Sequence, residues 1–301
     1  MGTGKSALEG VGRLSGEVKA WMQEVKRQRG KEMQMSEKRM QNGYVWNALA
    51  GAVNASEAVL LSMVVTRTDG IADAGVLSIA FAVGNLMMTI GKFGVRNYQA
   101  TDLKGRFSFS DYFWARIFTA GVMVLSCAGY LLYCIWSRGY GRYKAVVVAA
   151  VCLIYAAESV EDVFWGFYQQ RMALDVGAKV FVCRWGLVLA AFILSLAAGK
   201  GLQKAAVAGV FVNTAAFAVL NIAAFCGFHE KIGRLHPGRT AKLLRQCAPL
   251  AVVSFLTFYL VNAPKYAIDR YLPQEVQACF GFVAMPVFVV ELLNSFLYQP
   301  T

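Results

Sequence analysis

Three carboxylates and one guanidinium stand where charge is most costly. Glu158, Glu161 and Asp162 lie in the apolar run Ala145 to Tyr168, and Arg184 lies in the next, Gly177 to Ala198. Spacings of three and four from Glu158 put the acids on one face of a helix. Ionisable groups inside a bilayer-length segment are tolerated where they face a protein interior or a watery cavity, which makes them functional candidates. Two kinds of chemistry fit. Acids and Arg184 pair, offsetting part of their desolvation cost in a structural knot; or Arg184 meets an anionic substrate while the acids exchange protons or sodium.

Other apolar runs carry polar groups of the same kind. Asn54 and Glu57 lie in the first, Asn262 and Lys265 near the end of the seventh, and Glu291 in the eighth. Lys265 joins Arg184 as a candidate for an anionic substrate. Glu57, Glu158, Glu161, Asp162 and Glu291 are the candidates for ion coupling. Pro249, Pro264 and Pro286 fall inside or at the ends of runs seven and eight, where freed carbonyls permit kinking. No catalytic constellation emerges: there is no Gly-x-Ser-x-Gly elbow and no His-Glu-x-x-His. The opening Gly2-Thr3-Gly4-Lys5-Ser6 looks like the end of a phosphate-binding loop, but the earlier glycine and the strand leading in are missing. The seven cysteines are scattered singly, and His229 and His236 lack metal-ligand spacing. We expect a carrier and not an enzyme, with no catalytic residue, metal or cofactor.

The elements that must position these residues follow from hydropathy. The 301 residues are 57% hydrophobic and 16% charged, with mean hydropathy +0.46. That is too apolar for a soluble domain of this length. Eight runs approach the roughly 20 residues that cross a bilayer as a helix. They are Tyr44 to Thr66, Ile71 to Val95, Tyr112 to Trp136, Ala145 to Tyr168, Gly177 to Ala198, Ala205 to Gly227, Cys247 to about Ile268, and Val276 to Leu297. The expected fold is all-α and polytopic, with about eight transmembrane helices.

Charge gives the topology. With the amino terminus inside and the helices alternating, 22 lysines and arginines fall on the inner side and 8 on the outer. The net charge of +12 therefore points to anionic lipid beside inner loops and not to nucleic acid. Residues 1–43 form a basic cytoplasmic tail in which Val11, Leu14, Val18, Trp21, Met22 and Val25 recur at the spacing of an interfacial helix. We divide the rest into a six-helix lobe at 44–227, a basic linker at 228–246, and the first two helices of a second lobe at 247–301. A loose echo supports the division: Thr68-Asp69 and Ile268-Asp269 each precede a short loop, an acid and another helix.

Three stretches together resemble the Wzx-type oligosaccharide flippases of the multidrug/oligosaccharidyl-lipid/polysaccharide exporter superfamily. They are Gly91-Lys-Phe-Gly-Val-Arg-Asn-Tyr-Gln-Ala-Thr-Asp102, Glu161-Asp-Val-Phe-Trp-Gly-Phe-Tyr-Gln-Gln170 with Leu174-Asp175-Val176, and Asn262-Ala-Pro-Lys-Tyr-Ala-Ile-Asp269. The likeness runs from about Tyr44 to the end. It implies a carrier in the bacterial cytoplasmic membrane, turning undecaprenyl-diphosphate-linked oligosaccharide from inner to outer leaflet by ion-driven alternating access, for capsule or lipopolysaccharide-like polymer. Polymerase and glycosyltransferase machinery would be its partners. On this chain it adds Arg96 and Asn262 to Arg184 and Lys265 as candidate substrate contacts.

Six plus two helices are fewer than the family's two lobes. We expect a truncated copy, or a second chain that supplies the missing helices, with little transport by this chain alone. The alternatives are a drug or cation exporter of the same superfamily, whose cavity would favour acids and aromatics, and a non-transporting membrane scaffold. A membrane-embedded polymerase would need a large outer loop that the sequence lacks.

Overall fold

The first seven apolar runs fold as helices because backbone polar groups in hydrocarbon must be satisfied within the segment itself. A computed structural model describes residues 43–102, 105–171, 173–228 and 232–284. Its helices are α1 (Gly43–Thr68), α2 (Ile71–Lys92), α3 (Val95–Thr101), α4 (Phe109–Arg138), α5 (Arg142–Gln170), α6 (Leu174–Ala197), α7 (Leu202–Cys226) and α8 (Pro237–Tyr271). Residues 274–284 are helical as well, and no strand occurs among the described residues. Among the described residues six helices (α1, α2, α4, α6, α7 and α8) are long and apolar enough to cross a membrane. The 29-residue α5 is equally long and carries the three acids. The chain is an all-α, polytopic membrane protein.

The expected tail helix, Glu291 and most of the eighth run lie outside the described residues. Two expected boundaries change. The second run does not continue smoothly to Val95: it breaks at Phe93 (φ 43°) and Gly94 (φ 65°), two left-handed residues in succession, and resumes as α3. Arg116 explains how the broken end is satisfied, since its guanidinium donates to the carbonyls of Gly91 (3.1 Å) and Lys92. The seventh run begins at Pro237 and not at Cys247, inside the stretch we read as linker. Proline suits a first helical turn because its missing N–H has no partner there anyway. Arg239, Lys242 and Arg245 project from the exposed side of these first turns, which is why the segment reads as a loop.

The helix α5 is central, packed against α2, α3, α4, α6 and α7; α8 lies along α2 and α4. The helix α2 is interior too, with 89% of its most apolar stretch buried. A side chain at Gly91 would sit 2.7 Å from Met123 Sδ and 2.8 Å from Ser159 Oγ, so α2 approaches α4 and α5 as closely as it does only through glycine. A second, aromatic core (Phe164, Phe167 and Tyr168, with Phe109 and Phe225 against them) fills the end of the bundle where α5 finishes and α4 begins. There Ser108 and Asp111 cap α4 reciprocally.

Contacts remote in sequence show which helix ends lie together. Trp114 Nε1 donates to Gly233 O (3.0 Å), and Arg239 meets Asp111 (3.2 Å). At the opposite end Asp269 meets Lys144 and Tyr140. The α4–α5 turn and the end of α8 thus share one end, which we call the Asp269 end, and the starts of α4 and α8 share the other.

Candidate functional site

The described polar residues predicted from sequence divide into a closed ion knot, a separate ion cluster and an open cavity. In the knot, Arg184 of α6 meets Glu161 of α5 through Nη2 (2.7 Å) and Nε (2.9 Å), and Nη1 donates to Asn213 Oδ1 of α7 (2.5 Å). Asn213 in turn donates to the carbonyl of Ile154 (3.3 Å), and Asn221 donates to the other oxygen of Glu161 (3.1 Å). Arg184 and Asn213 are 0% exposed and Glu161 is 1% exposed. One guanidinium, one carboxylate and two amides thus tie three helices together. Arg184, which we singled out for an anionic substrate, lies sealed inside this knot, and no part of it lines the cavity.

Asp162 points elsewhere. It accepts from Arg116 Nη2 of α4 (2.7 Å) and pairs with Arg96 Nη1 of α3 (3.4 Å). Arg116 is itself 0% exposed and holds the broken end of α2. Arg96 has a third of its side chain exposed and lies over the Trp165 ring at 5.0 Å. The two acids adjacent in sequence therefore serve different ion groups, because a one-residue step on a helix rotates the side chain by about 100°.

Glu158 connects the knot to the cavity. Its Oε2 lies 3.6 Å from Arg184 Nη2 and accepts from Trp185 Nε1 (3.3 Å), while its Oε1 pairs with Lys92 Nζ (3.0 Å). Lys92, a third exposed, lines a cavity of about 530 Å³ framed by α1, α2, α8 and residues 278–282. The same cavity is lined by Asn54, Glu57, Asn85, Tyr155, Asn262 and Lys265. Tyr155 donates to Glu57 Oε1 (2.7 Å) and receives a long contact from Asn85 Nδ2 (3.4 Å). Glu57 Oε2 is buried with no hydrogen-bond partner in the structure. Phe81, Tyr155 and Trp185 succeed one another at ring separations of 6.2 Å and form the partition between cavity and knot.

Of the sequence candidates, Glu57, Asn262 and Lys265 thus face one cavity, Glu158 stands at its edge, Glu161 and Arg184 form the knot, and Arg96 and Asp162 form a separate cluster. Reading the sequence missed Lys92, Arg116, Asn213 and Asn221. Asn213 and Asn221 had a signal: two amides eight residues apart, on one face of an otherwise apolar span. Fold and site together define a multi-pass membrane protein with a polar cavity beside a buried ion network. Compared with protein-family models, curated proteins and solved structures, the chain matches none.

Proposed function

We propose that the chain is a membrane carrier of the flippase class, translocating an undecaprenyl-diphosphate-linked oligosaccharide across the bacterial cytoplasmic membrane for surface-polysaccharide assembly. The amino terminus is cytoplasmic, as the charge asymmetry favours. The observation that carries the reading is the 530 Å³ cavity, in which Lys92 and Lys265 stand beside Asn54, Asn85 and Asn262. A diphosphate entering hydrocarbon requires compensating cations, and amides suit sugar hydroxyls. The volume falls within the range of small-molecule sites. The substrate class itself comes from the resemblance of the Gly91–Asp102, Glu161–Gln170 and Asn262–Asp269 stretches.

The coupling ion is assigned to Glu57, which faces the cavity and has one oxygen without a donor. Glu161 and Arg184 become the fixed frame against which the cavity works. A second reading, an exporter of organic cations, draws on Glu57 together with Phe81, Tyr155, Phe258 and Phe282 in the same wall.

Binding separates the two. Purified protein in nanodiscs is titrated with an undecaprenyl-diphosphate-linked saccharide and, separately, with a lipophilic organic cation. Charge-assisted hydrogen bonds of roughly 1.5–3 kcal/mol each predict at least a tenfold loss of saccharide affinity in the double variant Lys92→Met with Lys265→Met. Undiminished saccharide binding by that variant would overturn the proposal. Cation binding abolished by Glu57→Gln, with no saccharide binding, would establish the second reading.

A further inference from the structure

The level of the membrane can be read from α4. Its Trp114 and Trp136 lie near the two ends, roughly 30 Å apart at 1.5 Å per residue, which is the thickness of the hydrocarbon layer. Tryptophan favours the boundary between acyl chains and headgroups. Trp136 is 92% exposed at the Asp269 end, and Trp114 donates from its indole to Gly233 O just before α8. The helices α4 and α8 start at the same end, where Asp111 meets Arg239. Counting along both helices from that pair, Lys242 stands level with Trp114 and Arg245 one turn deeper.

These two cations share one side of α8 with a run of aliphatic residues. Lys242 and Arg245 are exposed, and they are followed at helical spacing by Val252, Val253, Leu256 and Leu260, each at least half exposed. Arg239 is already paired with Asp111 (3.2 Å), whereas among the described residues no acid stands against Lys242 or Arg245. A cation at or below the boundary is costly without a counter-ion, and its flexible stem turns the charge towards the headgroup phosphates. Cations above a strip of lipid-facing aliphatic surface complement a phosphate-bearing head above acyl chains. We propose that Lys242 and Arg245 bind the headgroup of an anionic phospholipid in the leaflet at this end, with its chains along Val252, Val253 and Leu256. The charge asymmetry of the whole chain says only which side is basic; the shared stripe assigns the binding to α8. The proposal rests on the chain spanning a membrane and not on what the cavity carries, so its failure leaves the flippase reading standing.

The test titrates the full chain, purified in detergent with phosphatidylcholine, with phosphatidylglycerol, and counts retained lipid by native mass spectrometry. From the attraction of each basic residue to an anionic headgroup, Lys242→Gln with Arg245→Gln is expected to weaken phosphatidylglycerol binding at least about tenfold. Lys242→Arg with Arg245→Lys, which keeps both charges, retains it. Lys200→Gln with Lys204→Gln, exposed where α6 has returned to the Asp269 end, leaves it unchanged. So does Lys92→Met with Lys265→Met, in the cavity. Glycerol phosphate, which has the headgroup chemistry without the chains, fails to displace the lipid. Lys242 and Arg245 are exposed, so their variants keep the fold, which an unchanged unfolding temperature in phosphatidylcholine verifies. Undiminished binding by the α8 double variant, equal loss in either control pair, or displacement by glycerol phosphate as readily as by whole lipid overturns the proposal.

Discussion

Lys92 and Arg184 grip opposite oxygens of Glu158, but from environments of different kinds. Arg184 has no exposed surface and spends its nitrogens on two carboxylates and an amide. Lys92 keeps a third of its side chain exposed at the wall of a cavity. Both satisfy the requirement that intramembrane charge be paired, yet only one retains capacity to meet a ligand. In a membrane protein the depth of a charged residue identifies it as a candidate, and the number of partners it has already acquired decides its role. The knot offers rigidity; the cavity offers exchangeable contacts.

The sharpest way to break this contrast is to cut the knot. Arg184→Ala leaves Glu161 buried with the Asn221 amide and no cation, so the loss of stability should be on the order of 3–5 kcal/mol. It would be read as a drop in unfolding temperature in detergent and in the yield of folded protein. Arg184→Lys should recover only part, since an ammonium cannot reproduce the planar guanidinium that reaches Glu161 and Asn213 together. An unchanged unfolding temperature in Arg184→Ala would mean that the knot is not closed.

On the cavity side the same operation should do little to the fold. In Lys92→Met, Glu158 keeps Trp185 and Arg184 as neighbours. Glu158 thus keeps a cation beside it, so the unfolding temperature should fall far less than in Arg184→Ala. Its effect belongs instead in ligand binding, where Lys92 is one of two cavity lysines. A large destabilisation by Lys92→Met, comparable to that of Arg184→Ala, would erase the distinction between the two regions.

How much of this was legible in the sequence depends on the physical signal each feature leaves. Spans such as α4, α6 and α7 are apolar over bilayer length and terminate in glycine or charge, so hydropathy places them within about three residues. The convergence of Glu161 with Arg184 was legible because acids three and four apart on one span need a cation on a neighbour. The division of Glu161 from Asp162 was not, because only the azimuth of each packed helix decides which cation an acid meets. Arg116 and Lys92 flank a loop, the ordinary place for basic residues near span ends, and so give no sign in the sequence that both turn inward. The start of α8 was hidden for the opposite reason: its exposed basic turns look like a linker. The break at Phe93–Gly94 depends on Arg116 donating to the loose carbonyls at the end of α2, a tertiary effect that no local pattern encodes.

The smallest expected effect lies outside both regions, and it marks where the hydrocarbon-like interior stops. Asp102 follows α3 and receives hydrogen bonds from the backbone N–H groups of Arg106 (3.1 Å) and Phe107 (3.2 Å) and from the Tyr112 hydroxyl (2.8 Å). Partial burial pushes its carboxyl up, but these donors together outweigh that and hold it below its ordinary value. A carboxyl lowered in the folded state contributes stability that is fully present above the unfolded pKa of about 3.9 and is lost as pH falls through the lower folded value. Asp102→Asn should therefore lower the unfolding temperature slightly at pH 7, and the gap from the unaltered protein should close as the medium is acidified below about pH 4. Thermal unfolding in detergent across that range measures it. A gap that persists unchanged in acid would show that Asp102 acts through shape and not through charge.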